Sequence, residues 1–187
     1  RPEKVKSIEL GYKGMISKQL FIDASYYYSW YNDFLGYVIG AELTEDSDSS
    51  LARIEQIYRV TANSENEVTT QGFSVGLSYY FKKYYALTGN YSWNILNKSD
   101  IDDPIIPAFN TPEHKFNLGI SGRDIHLTVF NNTIHGLGFS VNYKWIEGFL
   151  FEGSPQFTGS IPTYDVLDAQ ISKHVSQIHT TFKLGAS

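Results

Sequence analysis

The histidines are the side chains of this chain best suited to metal binding or acid–base chemistry. No two of them have a spacing typical of a metal site in sequence. The chain contains no Cys, so a thiolate site or a disulfide framework is excluded. The sequence therefore predicts no metal centre, and a place in a turn or on a water-facing wall explains all five: His114, His126, His135, His174 and His179.

Catalysis and resident cofactors are also not expected. The sequence has no G-x-S-x-G nucleophile elbow and no glycine-rich phosphate-binding loop. Asp46, Asp48 and Ser50 resemble the start of a calcium loop, but the glycine and the distal glutamate of such a loop are missing. The net charge of −5 argues against a nucleic-acid partner.

Contact with a small solute is the remaining chemistry. Tyrosine rings stack on sugars or flat chelates, and neighbouring polar groups orient them. The alternative is that these side chains only solvate a wall. The residues we expect to line a ligand lie on or next to the polar side of the predicted strands: Tyr27, Tyr31, Asp33, Asn94, Lys144 and Glu147.

The element that positions several of these residues is a long segment from Leu20 to Phe34 that alternates with a period of two. One set of alternate positions carries large apolar and aromatic residues and no charge, whereas the other carries Asp, Ser and Tyr. This period indicates an extended strand with unlike faces. Its length and aromatic face favour a strand with lipid on one side and a wet interior on the other.

The same alternation predicts seven further strands. After Gly36 the alternation fades, and we expect a loop that includes residues 37–40. The stretch from Arg123 to His135 either prolongs the fifth strand or packs within a longer turn. The strands cover Val5–Gly14, Arg53–Phe81 with an interruption around Asn63–Glu67, Tyr85–Ile95, Lys115–Ser121, Leu137–Trp145, Leu167–His174 and Ile178–Ala186.

The predicted connections alternate between short turns and long acidic or proline-rich loops, which is typical of outer-membrane barrels. Aromatic residues make up 16% of the chain and gather at strand ends. They predict an inner girdle of Tyr12, Phe21, Tyr79, Phe81 and Tyr85 and an outer one of Tyr28, Trp30, Trp93 and Trp145. A soluble antiparallel sandwich remains the structural alternative, because it also alternates.

A series of short motifs resembles, in order, the C-terminal barrel half of TonB-dependent outer-membrane receptors. One departure is Ser74, which stands where the family usually has Glu. The motifs are "P-E…E-x-G-x-K" at residues 1–14, "x-G-x-E-x" at 70–75, "N-x-P-x-H-K" at 110–118, "P-x-Y-x-x-x-D" at 162–169 and the penultimate-strand ending at 183–187.

The resemblance implies an all-β fold, namely an antiparallel transmembrane β-barrel segment of about eight strands from a larger barrel of about 22 strands. Residues 1–187 would form one partial barrel domain, with the plug and the last strand absent. It also implies active import of a scarce solute, such as a ferric chelate, cobalamin or a glycan, in the bacterial outer membrane.

The partners implied by the resemblance are outer-membrane lipid, the remainder of the receptor chain, the TonB system acting through the plug, and a surface lipoprotein lid in the glycan-importing branch. Two alternatives stay open. One is a complete eight-stranded structural or adhesive barrel, marked by closure between the first and last strands. The other is a soluble β-rich interaction domain.

Overall fold

The computed structural model describes residues 1–44, 53–98, 109–130, 132–153 and 158–187. They form antiparallel β-structure with one 3-10 turn at Ser176–Ile178. No helix in these ranges is long and apolar enough to cross a bilayer. The strands are β1 (Lys4–Met15), β2 (Leu20–Asn32), β3 (Leu35–Thr44), β4 (Arg53–Asn63), β5 (Val68–Phe81), β6 (Tyr85–Lys98), β7 (His114–Val129), β8 (Asn132–Ile146), β9 (Phe149–Glu152), β10 (Thr158–Ile161), β11 (Tyr164–Val175) and β12 (Thr180–Ala186).

One eight-stranded sheet forms the wall of the molecule. Its strand order is β1-β2-β5-β6-β7-β8-β11-β12, and each strand pairs antiparallel with its neighbours. The hairpins β3–β4 and β9–β10 stand apart from this sheet as two-stranded units. Both hairpins lie at the end of the wall where the predicted long loops are.

The alternating residues of the strands form two continuous faces of the sheet, because the residues that pair across neighbouring strands lie on the same side. Tyr26 lies opposite Leu10 on β1 and Phe73 on β5, all three on the apolar face. Its neighbour Tyr27 lies opposite Glu9 and Gly72, on the polar face. The same match extends across all eight strands, so the prediction of two unlike faces is confirmed.

The apolar face is not covered by the rest of the chain. Leu10, Leu184 and Ile8 are 75%, 71% and 64% exposed. Among the described residues, the only buried hydrophobic side chains are Val68 and Ile146. A soluble sandwich would bury one face of each sheet against the other, whereas a membrane barrel turns this face to lipid. The arrangement is that of a barrel wall.

Aromatic side chains on the apolar face gather at both ends of the strands. Near the short turns, Phe81 stacks on Tyr79 at 5.9 Å and on Tyr85 at 5.5 Å between ring centroids. Near the long loops, Phe116 stacks on Trp145 at 5.4 Å. Phe21 does not belong to the predicted inner girdle, because it lies opposite Met15 and Ser78 on the polar face. On β2 the even-numbered residues lie on the apolar face, whereas the odd-numbered residues, including Phe21, lie on the polar face.

The prediction of a single interrupted strand from Arg53 to Phe81 is wrong. Its first half is β4, which pairs with β3 in a separate hairpin, and only β5 belongs to the wall. The expected loop at residues 37–40 is part of β3. Both faces of this hairpin carry apolar side chains, such as Ile39 on one and Val38 on the other, so no alternation reveals it.

The predicted long connection between the strands at Leu137–Trp145 and Leu167–His174 contains the short hairpin β9–β10. Asp46, Asp48 and Ser50, whose pattern resembles the start of a calcium loop, lie outside the described residues.

The segment from Arg123 to His135 prolongs the strands, so the first of the two expectations is confirmed. The strands β7 and β8 continue beyond the β5–β6 turn as a hairpin, which we call the β7–β8 extension (residues 123–138). Val129 lies about 20 Å beyond Gly122 along the strand, given the usual rise per residue.

Two register shifts occur in the β7–β8 extension, one between Gly122 and Ile125 and one between Ile125 and Leu127. The first adds a residue to β7 and the second adds one to β8, so the later pairs regain the earlier register. Asp124 and Gly136 have positive φ of 54° and 67°, as β-bulges often require. Each bulge exchanges the two faces of its strand.

The outermost strands of the wall are β1 and β12. Within the described residues they pair with β2 and β11 and not with each other. The closure between first and last strands that would mark a complete eight-stranded barrel is therefore not found in this part of the chain.

Candidate ligand-contacting wall

Tyr27 and Asn94 are brought together on the polar face near the long loops. The Tyr27 hydroxyl donates a hydrogen bond to Asn94 Oδ1 at 3.0 Å, although the two residues are 67 positions apart. Gly72 lies between them on the intervening strand, and the phenol ring crosses above it. A Cβ on Gly72 would be 2.8 Å from the Tyr27 ring and 2.7 Å from Asn94 Oδ1. The glycine therefore makes room for a fixed aromatic surface.

Tyr31 lies further along β2 towards the same end, and Asp33 directly follows the strand. The Tyr31 ring meets Phe34 edge-on at 5.8 Å. The carboxylate of Asp33 lies 3.6 Å from both Arg1 and Lys4. These two cations neutralise the charge of the carboxylate. Asp33 therefore stabilises the start of the β3–β4 hairpin and does not present a free negative charge.

Glu147 has a structural contact at the end of β8. Its Oε2 accepts a hydrogen bond from the backbone N–H of His114 at 3.0 Å, and its own N–H donates to the His114 carbonyl at 3.0 Å. Lys144 lies elsewhere, opposite Asn117 on the polar face. The register continues from Asn117 to Asn90 and on to Asp23 through Gly76. This row lies four residues, about 13 Å, below the Tyr27 row.

A depression of about 470 Å³ on the polar face of the wall surrounds Lys144. Asn117 Nδ2 donates to Asn90 Oδ1 at 2.9 Å, and Asp23 pairs with Lys13 at 3.0 Å. The sequence does not reveal this depression, because its members are ordinary polar-face residues of separate strands and only the register assembles them. Its lining includes Asp23, Gly76, Asn90, Asn117, Gly119, Asn142, Lys144 and Asp168.

The segments above the wall contact one another. The Arg59 guanidinium lies 3.5 Å from the centre of the Tyr37 ring and donates to the Gly153 carbonyl at 3.4 Å. Asn110 bonds both backbone groups of Glu152, at 3.2 and 2.7 Å. These contacts link the two hairpins and the segment before β7 into one group at the mouth, the end of the wall near the long loops.

A further bond stabilises the β3–β4 hairpin. The Tyr58 hydroxyl donates to Glu42 Oε2 at 2.6 Å. This bond to a carboxylate raises the pKa of the Tyr58 phenol above its usual value of 10.0. The phenol therefore keeps its proton, and the hairpin its bond, at neutral pH.

The structure brings together only part of the predicted ligand-lining set. Tyr27 and Asn94 form one surface with Tyr31 above it, whereas Asp33 and Glu147 are engaged in structural contacts and Lys144 belongs to the lower depression. In the described part of the chain, no group of three or more His, Asp or Glu residues could hold a metal ion.

Comparison with known proteins agrees with this architecture. The family model described as "TonB dependent receptor-like, beta-barrel" matches residues 1–187. Two structures of the FrpB iron transporter from Neisseria meningitidis are similar in fold. The F3-3 variant has a TM-score of 0.58 at 12% identity, and the F5-1 variant in its apoprotein form has 0.59 at 11%, each over 91% of this chain. The chain spans 24% of the length of either transporter. No curated protein matches it.

Proposed function

This chain belongs to the TonB-dependent receptor β-barrel family, and from that premise we propose that it is part of the wall of a bacterial outer-membrane receptor that imports a scarce solute with energy relayed by TonB. The observation that carries the proposal is the eight-stranded wall, which is apolar on one face and polar on the other throughout. The apolar face contacts membrane lipid and the polar face an enclosed interior.

The solute belongs to one of three classes: a ferric chelate, cobalamin or a glycan. A ferric chelate is the first to test, because the structural neighbours are iron transporters. The Tyr27 ring with Asn94 beside it supplies a flat surface and an oriented polar group, which suit a planar chelate or a sugar ring.

The chain performs no chemical step in this proposal and is not an enzyme. Its partners are the remainder of the receptor chain, including a plug inside the barrel, and through that plug the TonB system. The charged and amide groups of the depression around Lys144 support contact with a polar plug. A surface lipoprotein lid would contact the linked hairpins at the mouth.

Uptake by cells that express the full-length receptor tests this function. Cells would be given radiolabelled ferric chelates, cobalamin and oligosaccharides, with the proton gradient either intact or dissipated. We expect accumulation of one class that disappears when the gradient is dissipated. Uptake that continues without the gradient would mark a passive pore and contradict the proposal.

A pair of tyrosine variants tests which face meets the solute. Tyr27→Phe removes the hydroxyl that binds Asn94, whereas Tyr26→Phe removes the hydroxyl that binds Gln71 at 3.1 Å on the opposite face. Because a lost hydrogen bond is worth about 0.5–1.5 kcal/mol, we expect Tyr27→Phe to weaken solute binding several-fold and Tyr26→Phe to leave it unchanged. Equal effects would exclude the Tyr27 surface from the binding site.

A further inference from the structure

The β7–β8 extension brings two histidines face to face. His126 on β7 and His135 on β8 have their Nδ1 atoms 2.9 Å apart and their ring centroids 4.7 Å apart. Both rings are exposed. Beside them, the hydroxyls of Thr128 and Thr133 lie 3.1 Å apart. Nine positions separate the histidines in sequence, and the antiparallel pairing of β7 with β8 and the two bulges place them opposite each other.

We propose that His126 and His135 together chelate a divalent transition-metal ion, with Cu²⁺ as the best fit. Ring nitrogens bound to one ion at about 2.0–2.1 Å are about 2.9 Å apart when the angle at the metal is 90°, and about 3.4 Å apart at a tetrahedral angle. The observed separation is that of adjacent ligands in a square-planar or tetragonal site. Cu²⁺ and Ni²⁺ favour that geometry, and Cu²⁺ binds nitrogen ligands more tightly.

The protein holds this pair in place without the ion. The Tyr84 ring meets the His126 ring at 6.0 Å in an edge-on contact. The Lys173 amine donates to the backbone carbonyl of His135, which fixes the second strand. Together with the threonine contact, these interactions position both imidazoles before binding, so little conformational freedom is lost when the ion arrives.

The bond between the two rings shows what the ion replaces. Both Nδ1 atoms face each other, so one must carry a proton and donate it to the other. When a metal ion takes the place of that proton between two neutral rings, the proton moves to Nε2 of its own ring, so both Nδ1 atoms bind the ion and each ring keeps one proton on Nε2.

The site is open. Because the described part of the chain offers no third His, Asp or Glu for a metal-binding group, the remaining coordination positions belong to water or to an exchangeable ligand. An ion held by two imidazoles binds and leaves, in contrast to a structural metal with a closed set of four ligands.

Titration of the purified full-length receptor with CuCl₂ in detergent tests the proposal. Wild-type receptor should bind Cu²⁺ at this site with an electron paramagnetic resonance spectrum that shows two imidazole nitrogens. Loss of a group that only hydrogen-bonds to a metal ligand already weakens the affinity for the metal roughly 10- to 100-fold. We therefore expect His126→Gln and His135→Gln each to weaken Cu²⁺ binding at least about tenfold.

The matched control is His179→Asn. His179 lies in the β11–β12 turn with a φ of 50°, outside the pair, and asparagine tolerates that backbone conformation. Circular dichroism checks that each variant keeps its sheet, which we expect because both rings of the pair are exposed. The proposal is wrong if both glutamine variants bind Cu²⁺ as wild type does, if His179→Asn loses as much, or if Zn²⁺ binds more tightly than Cu²⁺.

Discussion

A single glycine decides the local geometry of the candidate ligand surface. Gly72 has no side chain, and this allows the Tyr27 ring to cross β5 and reach Asn94 on β6. A Cβ at this position would lie 2.6 Å from the backbone oxygen of Trp93. No pattern in the sequence distinguishes Gly72 from the other strand glycines, because the constraint comes from residues on two neighbouring strands.

Gly76 provides a matched comparison for Gly72, since it lies on the same strand and the same face. Its Cβ would meet Asp23 at 3.6 Å, which is ordinary contact. We expect Gly72→Ala to destabilise the folded receptor by about 1–3 kcal/mol through overpacking, and Gly76→Ala to have little effect. Urea unfolding of the full-length receptor in lipid vesicles measures both. Equal unfolding midpoints would show that Tyr27 moves aside freely.

The sequence predicted the strands that have one apolar and one polar face. From Leu20 to Asn32 and from Phe73 to Phe81 the alternation is unbroken, and the structure follows it. The Tyr27 surface was predictable to the same degree, as polar-face residues near the long loops. Its pairing with Asn94 was not, because the register across β5 is a tertiary property.

The elements that the sequence predicted wrongly or left open between two alternatives lack a steady period of two. In β3–β4 both faces are partly apolar, so the pattern is lost. In the β7–β8 extension the pattern is present, but its phase changes at the bulges: Gly122 and Ile125 lie on the same face although three positions separate them. A single period cannot describe such a segment, and the His126–His135 pair was hidden for the same reason.

Gly136 is the residue on which the second bulge depends. Its φ is 67°, and a Cβ would lie 3.0 Å from the His174 carbonyl. A side chain in the left-handed region costs roughly 1–2 kcal/mol. We expect Gly136→Ala to loosen the β7–β8 extension and to raise amide hydrogen exchange at residues 125–137, while the wall strands stay protected.

Gly159→Ala is the control for this element. Gly159 lies in β10, where an added Cβ would meet no atom of the described residues within 4 Å, and its φ is not positive. Its substitution should leave hydrogen exchange in the β7–β8 extension unchanged. Faster exchange throughout the wall in Gly136→Ala would contradict the view that the bulge acts locally.

At the scale of the whole molecule, stability depends on which side of the wall meets lipid. Leu77 lies on the apolar face and is 44% exposed within the chain, opposite Ile22 and Gly89. It is four residues from the end of β5, near the middle of the apolar band. Ser74, on the same strand, is exposed on the polar face.

These two positions allow a direct test of the membrane orientation. Leu77→Lys should destabilise the folded receptor by about 2–4 kcal/mol, because a lysine at the centre of a bilayer loses its hydration. Ser74→Lys keeps its ammonium in the wet interior and should fold normally. The yield of folded full-length receptor in lipid vesicles measures the difference. A reversed order would place the lipid on the other face.

The paired bulges also restrict how such a wall can vary in length. One extra residue in β7 alone would shift its pairing with β8 by one position. The added residue in β8 restores the register, so Leu127 and Ile134 lie opposite each other on the apolar face. Insertions and deletions within paired strands are therefore tolerated only when the neighbouring strand changes by the same number of residues. The outer loops, in contrast, can change length one residue at a time.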